Sequence, residues 1–172
     1  MNDSKRKLML YEALELRSEY EKRIETCRAC LPEFKAHSRQ ADVVFKVSPD
    51  FNAKTMRESF KKLEFKASKI NIAIQQANFL NKIKLDNESI TISEALEIRK
   101  KLNGQIQELH SQLVKSAYQR VIYKDDRDIV EPNEVSFTEC SEGLEKARLR
   151  FRDLNRKIRR ASFEIEIDFL DE

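Results

Sequence analysis

Glu94-Ala95-Leu96-Glu97-Ile98-Arg99 repeats, almost letter for letter, the earlier stretch Glu12-Ala13-Leu14-Glu15-Leu16-Arg17. A second match lies further along each half. Ile74-Gln75-Gln76-Ala77-Asn78-Phe79 corresponds to Ile158-Arg159-Arg160-Ala161-Ser162-Phe163, at nearly the same interval. Between these matches Pro49 corresponds to Pro132. The chain is therefore read as two copies of a unit of about 80 residues, repeat 1 over about 8–85 and repeat 2 over about 90–169, within a single domain of residues 1–172.

The apolar pattern says what the unit is. From Ala13 the apolar positions run Leu16, Tyr20, Ile24, Cys27, Leu31 and Phe34. A second series, Met56, Phe60, Leu63, Ala67, Ile70, Ile74 and Ala77, alternates steps of four and three without a break. A third runs Ala95, Leu102, Ile106, Leu109 and Leu113, with Ile98 or Arg99 filling the gap, and a fourth Leu144, Ala147, Phe151, Leu154, Ile158, Ala161 and Ile165. An apolar residue every 3.5 positions makes a narrow stripe that must be buried against another helix. The expected fold is mainly α: a four-helix bundle from a duplicated helical hairpin, with helices about 40 Å long.

Start signals accompany the stripes. Thr91 or Ser93 can cap the third helix, and Ser93 meets only Leu96 three residues on, so no capping box is expected there. Asn52 or Asp50 suits the second helix, and Ser141 or Thr138 the fourth. Short strands are expected in the linkers and at the C-terminus. Residues 41–48 read as a strand, with a counterpart at about 121–131. Lys82–Ile92 alternates around Asp86-Asn87 and reads as a β-hairpin. The tail from Phe163 to Phe169 also alternates, so it is either a strand or the frayed end of the fourth helix, and its apolar side needs a partner within the chain or on a neighbour.

Composition bounds the function. Charged residues reach 37%, yet the net charge is +3, so opposite signs are interspersed as on solvated helix faces. No apolar run approaches the ~18 residues that would span a bilayer. The first residues form no signal peptide, and three cysteines do not make a disulfide framework, so a cytoplasmic protein with reduced thiols and no membrane insertion is expected.

The ordered set Glu-Ala-Leu-x-x-Arg, Ile-x-x-Ala-Asn, the hairpin into Ile92-Ser93-Glu94-Ala95-Leu96, and the closing Ile158-x-x-Ala-Ser-Phe resembles the septicolysin-like family of small helical bacterial proteins. The resemblance spans essentially the whole chain. Ser162-Phe163 stands where Asn-Trp is usual, and Gln75 and Ala77 replace the commoner Asn and Thr. It implies a four-helix bundle and self-association, and brings no reaction with it.

Chemistry-bearing residues are few. Cys27-x-x-Cys30 falls late in the first helix, where the dipole opposes a reactive thiolate, so structural thiols are the expected reading. Cys27, Cys30, His37 and Cys140 are the weak candidates for a metal site, without a second paired motif to support them. Glu108-Leu109-His110 lacks the Glu-x-x-His spacing of di-iron bundles. Two glycines cannot build a phosphate-cradling loop, and no Gly-x-Ser-x-Gly is present. No enzyme, no cofactor and no small-molecule substrate are expected.

Charge marks the remaining candidate. Residues 148–160 hold seven basic side chains against one acid, Asp153. Arg148, Arg152, Arg156 and Arg159 share one helical face, and Lys62, Lys66 and Lys69 share a face of the second helix. Such faces can track nucleic-acid phosphates. They can equally complement an acidic helix, and the first helix carries Glu12, Glu15, Glu19, Glu21 and Glu25. The leading expectation is a non-enzymatic scaffold or interaction protein that forms a homo-oligomer. Its surplus apolar edges are Val43, Val44, Phe45 and Val47 with Ile165, Ile167, Phe169 and Leu170. Nucleic-acid binding is the alternative.

Overall fold

A computed structural model of the chain describes residues 7–34, 46–124 and 127–169. It is mainly α, with four long helices and short strands in the connections and near the C-terminus. In chain order these are β1 (Leu8–Met9), α1 (Leu10–Cys30), a 3-10 turn (Pro32–Phe34), α2 (Ala53–Leu80), β2 (Lys82–Leu85), β3 (Glu88–Thr91), α3 (Ile92–Ser116), β4 (Arg120–Tyr123), β5 (Asp128–Glu131), α4 (Phe137–Glu164) and β6 (Glu166–Ile167). They form two compact units. One comprises Met1–Leu80 with Ser162–Glu172, the other Asn81–Ala161.

The repeated Glu-Ala-Leu is a helix start. In α3 the Thr91 hydroxyl accepts from the Glu94 amide at 3.1 Å, while the Glu94 carboxylate accepts from the Thr91 amide at 2.7 Å. This is a capping box where none was expected, because Glu94 lies three residues after Thr91 and not after Ser93, and it satisfies amides that the first helical turn leaves unpaired. In α1 the Glu12 carboxylate likewise accepts from the Met9 amide at 2.7 Å, without a hydroxyl on the other side. The hydrogen bonds from the Thr91 amide and hydroxyl hold the Glu94 carboxyl below its usual pKa. The alanine that follows the glutamate is fully buried in both copies, Ala13 and Ala95 each at 0% exposure. The motif thus joins a cap to a position with no room for a larger side chain.

α2 and α4 have the same length, and their starts and ends are displaced by one common interval. Asn52 caps α2, its Oδ1 accepting from the Lys54 and Thr55 amides at 3.1 Å each. The equivalent residue in the second copy is Ser136, which caps α4. Its hydroxyl accepts from the Glu139 amide at 3.2 Å, and the Glu139 carboxylate takes the Ser136 hydroxyl at 2.8 Å. The fourth helix therefore starts before the expected caps Thr138 and Ser141, because Ser136-x-x-Glu139 is a complete capping box. Gly143 lies inside α4, where an added Cβ would stand 3.5 Å from the Leu109 side chain of α3.

The stripes are the buried faces. Leu63, Ala67, Ile70, Ile74 and Ala77 are buried in α2, and Leu144, Ala147, Leu154 and Ala161 in α4. In α1 the stripe holds through Ala13, Tyr20 and Cys27 and reaches Leu31, then fails: Phe34 is 51% exposed. The cause is Pro32. A residue before proline is driven out of the α region, and Leu31 sits at φ −77°, ψ 130°. At the equivalent place α3 carries Val114 and continues to Ser116.

The strands repeat one arrangement. β2 and β3 form the expected hairpin, with Lys82 opposite Thr91 and Ile83 opposite Ile90, turned at Asp86 in the left-handed region (φ 53°). An aspartate tolerates that conformation better than most residues. β1 and β6 pair in the corresponding register, Met9 opposite Glu166 and Leu8 opposite Ile167. Each pair is followed by an equivalent bond, Ile92 amide to Asn81 carbonyl at 3.0 Å and Leu10 amide to Ile165 carbonyl at 2.8 Å. The first strand of each repeat thus pairs with the last strand of the other. Of the tail, Phe163 and Glu164 end α4 and Glu166–Ile167 is a strand with an internal partner; Ile167 (2% exposed) and Phe169 (8%) are buried within the chain. That removes them from the surplus apolar edge. Val43, Val44, Phe45 and Leu170 lie outside the described residues, as does most of the strand expected at 41–48; Lys46–Ser48 is not in a strand. The counterpart at 121–131 is a hairpin, β4 with β5.

Candidate interaction surfaces

The arginines of α4 face solvent. Arg148, Arg152, Arg156 and Arg159 are all exposed, as their spacing requires. Their acidic partners are local. Arg148 meets Glu145 at 2.7 Å, while Arg156 and Lys157 share Asp153 at 2.7 and 2.9 Å. Arg150 reaches Asp86 at 3.7 Å. Hydrogen bonds from Lys157 and Arg156 hold the Asp153 carboxyl below its usual pKa. Exposed pairs of this kind are worth about 0–1 kcal/mol each and leave the guanidinium accessible. Arg152 makes no ion pair among the described residues.

The acids of α1 are largely used on α1 itself. Glu19 pairs with Arg23 and Glu21 with Arg17, and Glu12 closes the helix start. Between elements, Glu33 takes a two-point contact from Arg57 at 2.8 and 3.1 Å. Arg28 lies over the rings of Phe34 and Phe60 and 3.8 Å from Glu64. The exposed Phe34 is thereby covered by a cation instead of the helix stripe.

The lysine set on α2 has a different setting. Lys62 is exposed, Lys66 is half-buried, and the Lys69 ammonium stands 4.6 Å from the centre of the Phe65 ring. Phe65 is 62% exposed, and Ile72 (53%), Phe79 (65%) and Leu80 (80%) follow on the same helix. Phe65, Ile72 and Phe79 recur at intervals of seven, so they lie in line along a second apolar stripe, on the solvent side. The sequence expectation follows the buried stripe alone and misses this one, although the spacing signal is present.

The thiols fall short of a site. Cys27 and Cys140 are buried but Cys30 is exposed, so the pair is not jointly structural. His37 lies outside the described residues, and among those described no group of three or more His, Cys, Asp or Glu could hold a metal. One open cavity of about 390 Å³ lies between the end of α3 and the β4–β5 hairpin. Lys115 and Arg120 line it together with Glu131 and Glu134, so its charges oppose one another and give no single-sign attraction for a ligand. No helix among the described residues is long and apolar enough to cross a membrane.

No family model and no curated protein matches the chain. A solved structure does match. A conserved protein of unknown function from Corynebacterium diphtheriae aligns with a TM-score of 0.73, covering 95% of this chain and 100% of that one at 18% identity. A likeness at that identity concerns the fold.

Proposed function

We propose that the protein is a non-enzymatic, cytoplasmic interaction module that self-associates, in keeping with its sequence resemblance to septicolysin-like bacterial proteins. The observation that carries the reading is the apolar surface left outside the core. One unit exposes Phe65, Ile72, Phe79 and Leu80 on α2, and the other exposes Val121, Tyr123 and Val130 on the β4–β5 hairpin. Clustered apolar surface of this kind marks contact sites. A two-stranded hairpin is also marginal alone and gains from a neighbour. Light scattering on a size-exclusion column is expected to give a mass above the 20.3 kDa of one chain at high protein concentration. A clean monomer at every concentration refutes the proposal.

The exposure of Arg152 and its neighbours favours one second reading, nucleic-acid contact through α4. In that case retention on a DNA or RNA column must fall steeply with salt, with a log–log slope of roughly −0.9 per neutralised phosphate on duplex DNA. Absence of retention at ~50 mM salt ends it, because phosphate contacts are strongest at low ionic strength.

A further inference from the structure

We infer that the chain associates with a second copy of itself by exchanging repeats, the β2–β3 turn opening so that repeat 1 of each copy pairs with repeat 2 of the other; this rests on the self-association proposed above. The two strand pairs carry the inference. Met9 opposite Glu166 corresponds to Thr91 opposite Lys82, and Leu8 opposite Ile167 to Ile90 opposite Ile83. Each pair is continued by the same amide-to-carbonyl bond, Leu10 to Ile165 and Ile92 to Asn81. Asp86-Asn87 joins the strands of one pair, whereas the strands of the other have no local connection. The pairing therefore does not depend on a turn. In both pairs the first strand of one repeat meets the last strand of the other, so the same bonds form between two chains.

The turn is the point of opening. Asp86, at φ 53°, is the one non-glycine residue at positive φ among the described residues. Glycine meets that conformation without steric cost and an aspartate does not, so straightening the turn relieves both copies at once. The ion pair of Asp86 with Arg150, at 3.7 Å, is exposed and holds the turn only weakly. Buried Ile83 and Leu85 keep the same neighbours after exchange, supplied by the second copy. Continuing the register beyond Leu85 opposite Glu88 sets Asp86 opposite Asn87 of the second copy, and not opposite its own counterpart. Reciprocal exchange closes on a twofold axis, which limits the assembly to a dimer. A short, strained hinge between interlocking halves favours that exchange. The tether between the repeats favours the closed monomer when the protein is dilute, so the dimer belongs to high concentration.

The test uses the full chain with Cys30→Ser, to remove the exposed native thiol, and with Met9→Cys and Glu166→Cys. Residues directly opposite in an antiparallel pair stand about 4.5–5.5 Å apart at Cα, within reach of a disulfide. The protein is refolded from urea at high concentration, separated by size, oxidised and run under denaturing, non-reducing conditions. The dimer fraction is expected to give covalently linked dimers, and the monomer fraction single chains closed on themselves. Asp86→Gly is expected to raise the dimer dissociation constant at least about tenfold, because the relief disappears from two hinges. Asp86→Val is expected to lower it, since a β-branched residue resists positive φ and favours the straightened hinge, with helix content unchanged in both. A dimer whose 9–166 link stays within each chain overturns exchange and leaves self-association through the exposed apolar surface standing. A parent chain that is monomeric at every concentration overturns both.

Discussion

Leu154→Ala is expected to lower unfolding stability by about 2–5 kcal/mol, the range for emptying a well-packed site. Leu154 is 0% exposed, and its equivalent in the first repeat, Ile70, is also 0% exposed. Ile70→Ala should therefore fall in the same range. Removing the side chain loses its transfer free energy and leaves a cavity that helices held along a stripe cannot easily close. In a chain of this size the melting temperature should drop roughly 2–4 °C per kcal/mol. Leu149→Ala supplies the control, because it makes the same chemical change on the same helix at 57% exposure. That variant should stay within about 0.5 kcal/mol of the parent. Urea unfolding followed by circular dichroism measures all three. If Leu154→Ala costs no more than Leu149→Ala, the buried face of α4 has been misassigned.

Ile167→Ala should destabilise by a similar amount, about 2–5 kcal/mol, although β6 is only two residues long. Ile167 is tied down. It is 2% exposed, it lies opposite Leu8, and the strand pair is continued by the bond from the Leu10 amide to the Ile165 carbonyl. Its equivalent, Ile83, lies in a hairpin whose strands are joined by Asp86-Asn87. β1 and β6 have no such turn and are held by packing and hydrogen bonds alone. Glu166→Ala, on the exposed side of the same strand, should change stability by no more than about 0.5 kcal/mol. Equal effects at 166 and 167 would mean that the tail is not docked.

Much of the helical scaffold is legible in the residues. The two halves of the duplication reappear as equivalent helix starts, α1 with α3 and α2 with α4. The stripes in α2 and α4 are the buried faces, since a 3.5-residue apolar period has no other stable use in water. Where sequence and structure part, the causes are local. Spacing puts Phe34 on the α1 stripe, but Pro32 ends the helix first. Thr138 and Ser141 stand nearer the apolar run than Ser136, yet Ser136 caps α4 because Glu139 lies at the capping-box distance. The basic face of α4 is legible because four arginines at steps of four and three must share a side. Its local pairing with Glu145 and Asp153 follows from the same spacing.

The exposure of the Phe65–Ile72–Phe79 stripe and the pairing of the tail are not legible in the same way. Spacing places residues on one side of a helix but cannot say which of two apolar stripes on α2 is covered. Tertiary packing decides it: α1 packs against α2, and Leu63, Ile70 and Ile74 are buried while Phe65, Ile72 and Phe79 are not. An alternating tail announces a strand without naming its partner, and β1 stands at the opposite end of the chain. Sequence alone therefore determines the repeat, the helices and their caps, because these depend on contacts between near neighbours. Tertiary structure decides the closing strand pair and the exposed face of α2, because those depend on which distant segments displace water from one another.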